Sequence, residues 1–195
     1  MGSNQATAVP QPAPPLVRIA LGFYAALLLA AVVWARLADR ALGWASPQAA
    51  QRGVDPLADL GAGALVGLAI VLASGAWTRA TRSGERLARA LAAAIGRRST
   101  PECWLLALAS GVAEEAFFRG AMQPALGLLA TSALFGLAHF APRRELLPWT
   151  LFSLDAGLVL GLLFEATGNL VAPVVAHALV NGVNLRILTR DYAPA

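Results

Sequence analysis

Two histidines occur in the 195 residues, and both fall inside hydrophobic runs. His139 follows Phe135 by four residues, and His177 precedes Asn181 by four. A third apolar run carries Glu114-Glu115-Ala116-Phe117-Phe118-Arg119. An ionisable group inside a membrane span costs about 2.5–3.5 kcal/mol to insert, so each is a functional candidate by default. At helical spacing Glu115 and Arg119 share a face and can pair, whereas Glu114 points about 100° away and stays free for chemistry. His177 and Asn181 share one face, as do Phe135 and His139. Three helices can thus bring a carboxylate, two imidazoles and a carboxamide to one cavity.

That set suits hydrolysis. Desolvation makes a carboxylate a better proton acceptor, which is what a general base requires. His139 can share the proton with Glu114 and orient a water between them. His177 and Asn181 can donate to the oxyanion that forms when water attacks a carbonyl. Ser110, Ser132 and Ser153 read as small packing residues, not nucleophiles. Cys103, the single cysteine, reads as a buried side chain too far along its run to compete. Glu114, His139 and His177 also match a catalytic zinc site in ligand type. The metal-free reading is preferred, because no His-Glu-x-x-His helix is present and the ligands would come from three separate helices. Asp155 and Glu165 lie on the fifth run without an evident partner. Taken singly, each of these residues is better read as interhelical glue. Together, on three short runs, they point to a site.

The elements that must position them are membrane spans. The chain is 57% hydrophobic and 13% charged with mean hydropathy +0.61, about half the charge of a soluble domain. It therefore reads as an all-α polytopic transmembrane bundle of about six spans: Leu16–Leu37, Leu57–Trp77, Pro101–Met122, Pro124–Phe140, Leu146–Phe164 and Leu170–Leu188. Residues 1–15 read as a disordered Pro/Ala/Gln-rich tail, and 16–190 as one domain whose motif-bearing core is 101–188. Ala6 stands where a myristoylation signal needs Ser or Thr, and the first run is too long for a signal-peptide core. Thr78–Thr100 carries six arginines, with Leu87, Leu91 and Ile95 at helical spacing, and reads as an amphipathic cytoplasmic helix on the membrane surface. The arginines sit between spans and form no single basic face, so nucleic acid is rejected as a partner despite the net charge of +4. With these boundaries Glu114 and His139 differ in depth by about 10 Å, which tilt or a longer third span must remove.

The ordered set Glu-Glu-x-x-x-Arg, Phe-x-x-x-His and His-x-x-x-Asn resembles the CAAX-protease and bacteriocin-processing (Abi) family. The likeness covers roughly Pro101 to Leu188. It implies a glutamic-type intramembrane endopeptidase in which Glu114 and His139 activate water. His177 and Asn181 stabilise the oxyanion, and Glu115, Arg119 and Phe135 support them. The chain is more similar to compact bacterial members, the myxosortase-type proteases among them, which implies C-terminal processing of membrane-anchored, sorting-signal or prenylated-type substrates without a cofactor. The competing readings are a non-catalytic immunity or scaffold protein of the same fold and a proton-coupled small transporter. A closed-ended pocket joining the motifs favours hydrolysis; a path across the bilayer favours transport.

The absence of lysine and the wealth of Ala, Gly and Arg suit a bacterial source, hence a bacterial inner membrane. Positive charge collects on the segments that face inward when both termini are cytoplasmic. Reporter fusions at Ser83 and at the C-terminus are expected to signal the cytoplasm. A periplasmic signal at either overturns that orientation.

Overall fold

The computed structural model describes residues 16–194; the expected disordered tail, 1–15, lies outside the described residues. Described residues form α1 (Leu16–Leu37), α2 (Pro47–Arg52), α3 (Pro56–Ala80), α4 (Arg82–Ile95) and α5 (Thr100–Glu115). The last of these continues without a break through a π-helical stretch, Ala116–Met122, into α6 (Gln123–Leu126). After it come α7 (Leu128–Ala138), α8 (Leu147–Thr167) and α9 (Val171–Ile187), which ends in a second π-helical turn, Leu188–Tyr192. The fold is an all-α bundle, as the hydropathy pattern predicts.

Local chemistry starts these helices where they start. Asp55 caps α3 by accepting from the Ala58 N–H, with Pro56 as the first helical residue. Ser99 and Glu102 form a reciprocal capping box on α5, which places Pro101 in the first turn. Thr81 ends α3 in an extended conformation and caps α4 through the Gly84 N–H.

Among the described residues, four helices are long and apolar enough to cross a membrane: α1, α3, α8 with the turn before it, and α9 with the turn after it. The six-span expectation departs from this at two places. The third span is a continuous rod from Thr100 to Leu126, long enough but interrupted by its charges. The fourth is α7, an apolar helix of 11 residues, about 16 Å long against a hydrocarbon core of about 30 Å. Gly127, at φ 82°, ends α6 and removes the first residues of the run read as span 4. A side chain with a Cβ is strained there.

That turn also removes the depth mismatch between the motifs. The rod and α7 fold back on one another at Gly127, so residues equidistant from it lie at one height. Glu114 is 13 positions before it and His139 is 12 after it. The two meet because the rod runs four residues further than the hydropathy pattern indicates.

Close approach of the other helices rests on small residues, as in membrane bundles generally. A Cβ on Gly63 would lie 2.5 Å from the Ala172 carbonyl oxygen, and one on Gly67 would lie 3.0 Å from the Ala176 backbone. α9 therefore runs parallel to α3 at a fixed offset. It runs antiparallel to α5, with Gly111 facing Ala178 and Cys103 against Thr189.

The amphipathic helix exists, but its apolar face turns a different way from the one expected. α4 buries Leu87, Ala88 and Ala92, and Leu91 and Ile95 line an internal chamber. It packs across the end of α3, the turn before α8 and the terminal turn, with Arg89 over the Tyr192 ring at 6.0 Å. The face assigned to lipid is thus the roof of a chamber.

Gly63→Ala is expected to lower stability in detergent by about 1–3 kcal/mol, because the α9 backbone must move to admit one methyl group. Gly61→Ala, which meets nothing within 4 Å, is its control. Equal melting of the two variants contradicts the packing described.

Candidate active site

The two adjacent glutamates part company as their helical spacing predicts. Glu115, fully buried, accepts from Arg119 Nη1 at 2.9 Å and is in contact with His177 Nδ1 at 2.6 Å, both through Oε1. Arg119, 1% exposed, also donates through Nη2 to the Gly157 carbonyl at 3.1 Å. Its guanidinium lies over the Phe135 ring, 4.4 Å from the centroid. The Glu115–Arg119 pair follows from sequence spacing; the attachment of His177 to it does not. A carboxylate oxygen can only accept, so His177 carries a proton on Nδ1 and keeps Nε2 clear of Glu115.

Glu114 faces the other way. Its Oε2 has no hydrogen-bond partner among the described residues and lies 3.6 Å from His139 Nε2. That separation is too long for a direct hydrogen bond and short enough for both atoms to hold one water. His139 is the C-cap of α7, and its Nδ1 is 2.8 Å from the Phe135 carbonyl. A carbonyl only accepts, so the proton sits on Nδ1 and Nε2 presents its lone pair to the Glu114 side. From α8, Thr150 donates to the His139 carbonyl at 3.3 Å, and the Trp149 ring stands edge-on to the imidazole at 5.3 Å. Neither α8 residue stood out by type or spacing.

Asn181 donates through Nδ2 to Ser110 Oγ at 2.9 Å, one turn before Glu114, and keeps its second N–H. Ser110, read as packing, is buried and orients the carboxamide. Ser132 and Ser153 are buried as expected, and Cys103 is fully buried against Thr189. Glu165 does have a partner: Gln123 Nε2 donates to it at 2.9 Å and to the Gly161 carbonyl at 3.1 Å. Asp155 is exposed on the outer face of α8 and takes no part in the site.

A chamber of about 850 Å³ joins the motifs, lined by Glu114, Phe135, His139, His177 and Asn181 together with apolar residues of α4. Its lining stops at the level of Glu114. Among the described residues, positions 115–134, 161–176, 25–37 and 56–69 contribute nothing to it. The cavity runs from beneath α4 and ends at the site. Among the described residues, no three His, Cys, Asp or Glu side chains are grouped so as to hold a metal ion.

Residues 97–183 match the family model described as Type II CAAX prenyl endopeptidase Rce1-like. The motif-bearing segment is similar to that family. The chain is 39% identical over 91 residues to the uncharacterized protein YpbD of Bacillus subtilis (strain 168), covering 46% of this chain and 47% of that one. The chain thus matches about half the length of this curated relative. No solved structure gives a significant match. The Rce1-like segment holds all three motifs, from Glu114 to Asn181, while α1 and α3 fall outside it.

Arg119→Ala leaves Glu115 buried beside His177 with half its neutralising partners removed. It is expected to cost about 3–5 kcal/mol of stability and to reduce expression. An Arg119→Ala protein that melts with the wild type shows that the ion pair is not structural.

Proposed function

We propose that the chain is an intramembrane endopeptidase that hydrolyses a peptide bond in or near the bilayer, trimming the C-terminal region of a membrane-anchored substrate. The observation that carries this reading is the blind chamber with Glu114, His139, His177 and Asn181 at its closed end. A closed-ended pocket joining the motifs favours hydrolysis over a continuous path for transport. An unpartnered carboxylate oxygen at that end is also more than a scaffold requires, since burying one without a partner is destabilising.

In this mechanism Glu114 takes a proton from a water held between it and His139. The oxygen then attacks the scissile carbonyl carbon. The negative charge that develops on the carbonyl oxygen is met by the remaining Asn181 N–H and by the Nε2–H of His177 in its doubly protonated form, in which Nδ1–H stays on the Glu115 carboxylate. Collapse breaks the C–N bond, and the proton held by Glu114 passes to the departing amine. Glu115 and Arg119 hold His177 in place and do not exchange protons with substrate. Phe135 supplies the carbonyl that fixes the tautomer of His139 and the ring that Arg119 covers.

The reaction in this reading uses no metal. Were zinc to take Glu114, His139 and His177, the only other acid in the site would be Glu115, which already serves Arg119 and His177. Purified Glu114→Ala is expected to remain folded and lose turnover, while His177→Ala loses about 10²–10³ in kcat, the range for one oxyanion donor. Elemental analysis and a phenanthroline titration of active enzyme test the metal. Stoichiometric zinc that is lost and restored together with activity establishes the metalloprotease reading instead.

A further inference from the structure

The end of α1 carries more than a membrane span requires. α1 is long and apolar enough to cross a membrane, so its last turn lies at a membrane surface. The helix ends in a Schellman turn: the Asp39 N–H donates to the Arg36 carbonyl at 3.2 Å, and the Arg40 N–H to the Ala35 carbonyl at 2.9 Å. That turn needs one residue in the left-handed region, and glycine is the usual choice. Here it is Asp39, at φ 50°, the one non-glycine at positive φ among the described residues. Its carboxylate is kept at a backbone cost that glycine would not carry.

The turn closes a groove of about 490 Å³, separate from the chamber and lined by Val32, Ala35, Arg36, Asp39, Arg40 and Leu42 among others. None of Arg36, Asp39 and Arg40 is in an ion pair among the described residues. A cation in the last turn suits the helix dipole, which accounts for Arg36. The dipole opposes a carboxylate there, so Asp39 needs another reason. Further back along the same face the helix turns apolar, with Val32 38% and Leu29 64% exposed. Two guanidinium groups, one carboxylate and an apolar stripe in line complement a phosphodiester, an ammonium and an acyl chain.

We propose that this groove holds one phospholipid with a primary-amine headgroup: its phosphate on Arg36 and Arg40, its ammonium on Asp39, and an acyl chain along Val32 and Leu29. The site is independent of the hydrolytic reading above. It assigns a role to a helix that the motifs leave empty. Leu42, on the groove wall, packs with Ala116 and Ala121 of the rod, and a Cβ on Gly120 would lie 2.9 Å from it. A lipid in the groove therefore braces α1 and its turn against the rod and stabilises the fold by mass action.

The test titrates delipidated protein in detergent with phosphatidylethanolamine, phosphatidylcholine and phosphatidylglycerol, reading binding by native mass spectrometry and stability by thermal melting. All three lipids carry the phosphate, but only the first has ammonium N–H donors for Asp39. Phosphatidylethanolamine is expected to bind wild type about tenfold more tightly than the other two, the weight of one charge-assisted hydrogen bond, and to raise its melting temperature. Arg36→Gln combined with Arg40→Gln is expected to weaken binding of all three. Asp39→Gly removes the carboxylate where glycine suits the backbone, so it should melt no lower than wild type without lipid and lose the preference for ethanolamine. If the double arginine variant does not fold, Asp39→Gly decides alone. Equal binding of the three lipids by wild type, a preference for phosphatidylglycerol, or an ethanolamine preference that survives in Asp39→Gly overturns the proposal.

Discussion

A guanidinium that is 1% exposed in the interior of a membrane bundle has to be neutralised where it sits, and much of this structure follows from how that is done. Arg119 gives one arm to Glu115 and the other to the Gly157 carbonyl, with the Phe135 ring beneath it. Each contact recruits a different helix. Glu115 brings His177 from α9, Gly157 brings α8, and Phe135 brings α7. One turn further along, Gln123 repeats the pattern against the Gly161 carbonyl and Glu165. A Cβ at 161 would lie 2.8 Å from Gln123 Oε1, so the Gln123 carboxamide would have to shift to admit one. The rod and α8 are therefore joined by a ladder of polar groups at four-residue spacing on both sides, in a medium where no water competes for them.

Because Glu115 is committed to that ladder, Glu114 is left outside it. The rotation of about 100° between neighbouring helical residues turns Glu114 from the ladder to the chamber. There it faces His139 and not a cation. The division between a structural and a chemical carboxylate thus needs no special fold, only two adjacent glutamates on a helix packed on one side. The hairpin at Gly127 and the antiparallel run of α9 then supply His139 and His177 at matching heights.

The sequence makes the pairs within a helix legible and leaves the pairs between helices obscure. Spacing of four identifies Glu115 with Arg119, Phe135 with His139 and His177 with Asn181, and two of these correspond to contacts in the structure. The third shares a face, but its members bind separate partners, Glu115 and Ser110. Hydropathy alone reads Pro124–Phe140 as a span because it counts apolar residues and not the helix that Gly127 ends. It reads α4 as a lipid-facing helix because an apolar stripe is the same whether lipid or protein covers it. Trp149 is invisible at this level, since an aromatic residue in an apolar run has no distinguishing spacing. Glu165 is legible as an odd charge in an apolar run, but its partner Gln123 is neutral and carries no such mark.

The central claim is that two neighbouring carboxylates do different work, one holding the bundle and the other serving the chamber. Parallel thermal unfolding of purified Glu114→Gln and Glu115→Gln tests it directly, since each substitution removes one charge and keeps the shape. Glu114→Gln should melt at or above the wild-type temperature, because it removes a buried charge that has no cationic partner. Glu115→Gln should melt well below it, with Arg119 left buried and unneutralised. The opposite order, or equal melting of the two, contradicts the account.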